Sequence, residues 1–112
     1  MKLLTEEIKK AMPPLYSGEE TYISNKIFVC KFFNPVGAGT WYVCEGSRTE
    51  HDCDDWQFFG LVDLGMGQEW GYFNLSELES LRLPLGLSIE RDIHFENEPA
   101  SKYLDEKYWE QA

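Results

Sequence analysis

Basic side chains, thiols and histidines are all scarce in this chain, and each shortage removes a class of function. Ten Lys and Arg stand against twenty Asp and Glu, giving a formal net charge of −10. Nucleic-acid phosphates are bound by Lys and Arg that neutralise them, so direct binding to nucleic acid is disfavoured. A cationic protein partner, or a simple solubility role, remains compatible with that charge. Three cysteines, Cys30, Cys44 and Cys53, leave at least one unpaired, which fits a reducing compartment better than a disulfide framework. Cys30 and Cys44 lie in apolar runs and are expected to be buried structural thiols. No apolar run approaches the roughly 20 residues a membrane span requires. The opening MKLLTEEIKKAMPP carries charges where a signal peptide has its apolar centre. A soluble cytoplasmic protein without membrane contact is expected. There is also no internal repeat and no low-complexity tract.

What the chain does have is aromatic bulk. Seventeen Phe, Tyr and Trp in 112 residues suffice for the core of one domain, since each ring buries roughly 150–250 Å². Thr5 is placed to cap a short helix running to Met12, with Glu6 and Glu7 in its first turn and Pro13-Pro14 ending it. Four runs rich in β-branched and aromatic residues are expected as strands: 26–33, 40–46, 56–64 and 68–75. The short, turn-rich links between them suggest an antiparallel meander, with the acidic stretch EGSRTEHDCDD as an exposed loop. Ser76 followed by Glu79 matches a capping box, with Leu75 as hydrophobic staple and Leu78 and Leu81 on one helix face. Beyond the break at LPLG, SIERDIHF alternates, which puts Arg91 on one face with Ile89, Ile93 and Phe95. An arginine on that face needs a carboxylate, and Glu79 or Glu77 is the expected partner in a structural ion pair. Residues 97–112 are expected as a helix docked on the sheet through Tyr103, Leu104 and Tyr108, a flexible tail being the alternative. The fold class is therefore α+β: one domain with an antiparallel sheet of about five strands, a short N-terminal helix, a capped helix at Ser76 and a C-terminal helix.

The stretches LLTEEIKKAMPPLY, TWYVCEG…FFGLVDLG and WGYFNLSELESLRLPLGLSIERDIHF together resemble a family of small bacterial proteins classed as a domain of unknown function and found on plasmids, phages and integrated elements. The resemblance runs from Leu3 to about Phe95 and is most specific in GYFNLSELES…GLSIERD. It implies an accessory protein of mobile DNA and brings no catalytic residues to carry over. The loop SRTEHDCDD and the tail after Phe95 fall outside these motifs.

Candidate chemistry is thin. EHDCDD crowds one His, one Cys and four acids into six residues, but lacks the ligand spacing of a zinc site and the glycine and distal Glu of a calcium loop. No metal and no cofactor is expected. Cys53 or Ser76 with His51 or His94 has no nucleophile motif around it. Of the strand aromatics Trp41, Trp56 and Trp70, most are expected in the core. The acidic loop Glu45 to Asp55 sets five acids against Arg48 alone and can steer a cationic partner. Glu50, Asp52, Asp54, Asp55 and Trp56 are the candidate partner-binding residues. Three functions follow. The first is a non-catalytic factor that binds a protein, such as a basic nucleic-acid-handling or defence protein, by presenting carboxylates where phosphates would sit. The alternatives are a small metal-dependent hydrolase built on the acidic loop and a structural homodimer.

Overall fold

The computed structural model describes residues 1–49 and 55–105. Helix α1 (Glu6–Ala11) is capped as its sequence indicates, with the Thr5 hydroxyl accepting from the Ile8 N–H at 3.2 Å. Five strands then form an antiparallel sheet: β2 (Cys30–Phe33), β3 (Thr40–Arg48), β4 (Trp56–Asp63), β5 (Gln68–Asn74) and β6 (Glu90–Arg91). Strands β2 to β5 are the expected meander, and β6 returns to the far edge beside β2, giving the order β5-β4-β3-β2-β6. The run 26–33 is split. Ile27–Phe28 forms β1, which pairs with β7 (Glu98–Pro99) instead of continuing into β2.

Each face of the sheet carries its own apolar cluster. On one face Phe32, Trp41, Val43, Phe58 and Phe73 pack beneath Leu3, Leu4 and Met12 from the N-terminal segment and Leu75 and Leu78 from helix α2 (Leu75–Ser80). On the other, Phe28, Cys44 and Leu61 pack with Tyr42, Phe59 and Trp70 beneath Ala100, Tyr103 and Leu104. Gln68 fastens that C-terminal cover: its side-chain amide donates to the Tyr103 carbonyl at 2.6 Å and accepts from the Asp105 N–H at 2.8 Å. The described part of the tail is thus a two-residue strand and a 3₁₀ turn (Ala100–Lys102), not the expected α-helix. Pro99 lacks a helical N–H, and the Ala100 N–H is taken by the Lys26 carbonyl at 2.7 Å. Tyr108 and Trp109 lie outside the described residues.

Strict alternation along β3 would bury Trp41, Val43 and Glu45 on one face. A β-bulge prevents this: the register with β4 shifts between Val43 and Glu45, so Val43 opposes Gly60 and Glu45 opposes Phe59, leaving Cys44 as the extra residue. Past the bulge the faces exchange. Gly46 points toward Phe58 in the first cluster, and Glu45 stands on the second face beside Phe59. The expected acidic loop also starts later than Glu45, because Ser47 and Arg48 pair with Gln57 and Trp56 and prolong β3.

Three further expectations are corrected. The cap of α2 falls at Asn74, not Ser76, and Glu77, not Glu79, reaches back to the cap N–H at 3.3 Å. The spacing Asn74–Glu77 obeys the same capping-box rule as Ser76–Glu79, and it prevails because β5 hands the chain over at Asn74. Leu75 and Leu78 are accordingly buried, and Leu81 is exposed at the C-cap. Arg91 meets neither Glu77 nor Glu79. Its Nη1 donates to the carbonyls of Lys2 and Leu3, so backbone oxygens of the N-terminal segment satisfy the guanidinium. β6 ends at Arg91, so the expected alternation fails and Ile93 is exposed.

Candidate functional site

Glu45 organises the region where charge and aromatic surface meet. Its side chain is 8% exposed, and Oε1 accepts from the Tyr16 N–H at 2.9 Å and Oε2 from the Gly18 N–H at 3.0 Å. Lys26 completes the site: Nζ lies 3.4 Å from Oε2, donates to the Gly18 carbonyl at 2.7 Å and sits 5.6 Å above the Phe59 ring centre. With Ser47 Oγ accepting from the Leu15 N–H at 3.0 Å and Pro13 O accepting from Gly46 at 2.9 Å, residues 13–18 become a strap laid across β3. An unpaired carboxylate at this depth would be costly, and here it has two backbone donors and an ammonium.

The strap holds Tyr16 in the left-handed region, with φ of 71°. That conformation costs a residue with a Cβ about 1–2 kcal/mol. The ring is exposed and meets Tyr72 of β5, also exposed, at 6.2 Å between centres. These two rings and Phe59 border a cleft of about 380 Å³ that Glu19, Lys26 and Glu45 also line. Burial raises the Tyr72 phenol above its ordinary pKa, and Tyr16, Glu45 and Glu19 push it further in the same direction.

Of the residues singled out in the acidic stretch, Glu50, Asp52 and Asp54 lie outside the described residues, as do His51 and Cys53. Asp55 is a fold element. It is buried, accepts from Ser76 N–H at 3.0 Å, Ser76 Oγ at 2.8 Å, Asn74 Nδ2 at 3.1 Å and its neighbour Trp56 N–H at 2.8 Å, and so ties the start of β4 to the start of α2. Trp56 is half-buried and stacks toward Phe58 in the first cluster. Glu45, the remaining described acid of that stretch, belongs to the strap site. The signal that marks it was present in TWYVCEG, where unbroken alternation would have placed a carboxylate on the same face as Trp41 and Val43.

Burial of Asp55 favours the protonated acid, but its hydrogen bonds from Ser76, Trp56 and Asn74 outweigh this and hold the pKa below the ordinary aspartate value. The unfolded chain therefore takes up a proton at higher pH than the folded one, and Asp55 stabilises the fold fully only above about pH 4, losing its contribution as pH falls through the folded value. Asp55→Asn is expected to cost about 1–3 kcal/mol at neutral pH. Its unfolding midpoint should fall less steeply than that of the wild type between about pH 5 and 3. Parallel curves would show that Asp55 is not held as an anion.

Cys30 and Cys44 are both buried, and burial pushes each thiol up to about 12, which removes them as nucleophiles at neutral pH. His94 is exposed, and its backbone N–H donates to the Asp92 carboxylate at 2.9 Å. Among the described residues no three His, Cys, Asp or Glu side chains come together as a metal site, and no helix is long and apolar enough to cross a membrane.

The fold is an α+β domain: a five-stranded antiparallel sheet with short helices and both faces covered. Residues 3–109 match the family described as "Protein of unknown function (DUF2958)", and the chain belongs to that family. The match reaches well past Phe95 and includes both the acidic stretch and much of the tail. No curated protein and no solved structure matches the chain.

Proposed function

We propose that the protein is a non-catalytic cytoplasmic accessory factor of mobile DNA that binds a cationic protein. The observation that carries this is the set of carboxylates left facing solvent. Among the described residues, six Lys and Arg have partners within the chain. Lys9, Lys26, Lys31 and Lys102 pair with Glu6, Glu45, Asp92 and Glu98, while Arg82 and Arg91 donate to backbone carbonyls. Glu7, Glu19, Glu20, Glu69, Glu79, Glu96 and Asp105 meanwhile face solvent. Each ion pair takes up one acid with one base, so the excess of acids over bases remains on these solvent-facing carboxylates. Such a field speeds encounter with a basic protein and weakens as salt rises.

The test is capture of tagged protein from host lysate at low and high salt, beside a variant with Glu50→Gln, Asp52→Asn and Asp54→Asn. Asp55 is left intact because changing it disturbs the fold. A basic protein retained at low salt, and lost both at high salt and with the variant, is the expected result. Retention of acidic or neutral proteins only, independent of salt, would contradict it.

A further inference from the structure

We infer that the cleft bordered by Tyr16, Tyr72 and Phe59 is a binding site for a lysine or arginine side chain of a partner protein, a site that deepens, and rests on, the cationic-partner function proposed above. Three independent features converge there. The first is shape and lining: a cleft of about 380 Å³ with aromatic walls from Tyr16, Tyr72 and Phe59. Ring faces attract cations, and a flat guanidinium or an ammonium on an apolar stem suits such walls.

The second is charge. Glu19 is exposed at the cleft, and Glu45 lies on its floor. The single cation lining the cleft, Lys26, is already committed to Glu45, to the Gly18 carbonyl and to the Phe59 ring. Its position over Phe59 shows that the aromatic floor accepts a positive group, while its pairing leaves Glu19 to meet a second one. An incoming carboxylate or phosphate would instead meet the Glu19 and Glu45 carboxylates, with the one ammonium lining the cleft already paired.

The third is the backbone at Tyr16. A tyrosine at φ of 71° occupies a conformation that glycine would adopt freely, yet its ring is held outside the core, exposed and opposite a second exposed tyrosine. Strain retained to display a side chain marks a functional position more often than a packing one. The Glu45 bonds to Tyr16 and Gly18 fix that display, so the buried ion pair preorganises the aromatic wall.

The experiment titrates isotopically labelled full-length protein with acetyl-tetraarginine amide and acetyl-tetralysine amide, with acetyl-tetraglutamine amide as the neutral control, and follows backbone amide shifts. Three variants are titrated in parallel: Tyr72→Ser, Tyr16→Gly and Glu19→Gln. The expected result is saturable binding of the cationic peptides with shifts centred on residues 16–26, 59 and 72. Affinity should fall about tenfold in each tyrosine variant and about threefold in Glu19→Gln. Tyr16→Gly should do so while remaining at least as stable as the wild type, which separates ring contact from loss of fold. Binding that maps elsewhere and ignores all three variants would overturn the cleft assignment and leave the cationic-partner function standing. Failure of the wild type to bind any cationic peptide would overturn both.

Discussion

Replacing Glu45 by alanine is expected to destabilise the protein by about 3–5 kcal/mol, the range for breaking a buried pair by removing one partner. The substitution strands the Lys26 ammonium, whose side chain is 10% exposed, and leaves the Tyr16 and Gly18 N–H groups without their acceptor. Urea unfolding measures the loss, and hydrogen exchange at Tyr16 and Gly18 should quicken first, because those amides belong to the strap that Glu45 holds down. A paired replacement, Glu45→Gln with Lys26→Met, should cost clearly less than Glu45→Ala, since it removes both charges together. An unchanged midpoint for Glu45→Ala would mean that the strap is held by its other contacts alone.

Gly60→Ala is expected to be at least as damaging, costing more than about 4 kcal/mol or preventing folding altogether. Gly60 sits on the inner strand β4 opposite Val43, immediately before the register shift. A Cβ built there would lie 1.8 Å from the Tyr42 carbonyl oxygen and 3.1 Å from the Val43 Cα. Backbone atoms of a neighbouring strand cannot move aside as a flexible side chain does, so β3 and β4 would have to separate. By contrast Gly71→Ala, on the adjoining strand, meets nothing within 4 Å and should leave the midpoint within about 0.5 kcal/mol of the wild type. Equal stability of the two variants would show that the close approach at the bulge is not real.

These two residues also mark the limit of what the sequence made legible. The strand runs ending at Phe33, Asp63 and Asn74 were readable because apolar, β-rich segments are bounded by turn residues. Helix α1 was readable because Thr5 and Pro13 bracket it. Period-two alternation, however, describes an unbroken strand, and a single bulge at Cys44 inverts every position after it. The carboxylate of Glu45 in an apolar run was the available sign of that inversion. The cap of α2 was displaced because two overlapping motifs, Asn74–Glu77 and Ser76–Glu79, fit the same local rule, and only the end of β5 selects between them. Arg91 was legible as a cation in need of acceptors. Its acceptors were not, because the carbonyls of Lys2 and Leu3 come from the opposite end of the chain. The candidate cleft was least visible, since Tyr16, Glu19, Phe59 and Tyr72 are brought together by the strap and the sheet register and share no local motif.

The bulge, the buried pair and the strap form one chain of dependence. Gly60 permits β3 and β4 to close up at Val43; the bulge beside it turns Glu45 to the second face; Glu45 fixes the strap; and the strap displays Tyr16 opposite Tyr72. The result is an acidic, aromatic surface at which Lys26 is already engaged by Glu45.

Site-specific crosslinking in host cells tests this account most directly. A photoreactive benzoylphenylalanine is placed at position 72 and, in a second strain, at the fully solvent-facing position 85, where Leu85 is 91% exposed. The expected result is an adduct with a basic protein from position 72, diminished by Glu19→Gln and absent from position 85. Adducts of equal yield from both positions, or none from position 72, would contradict it.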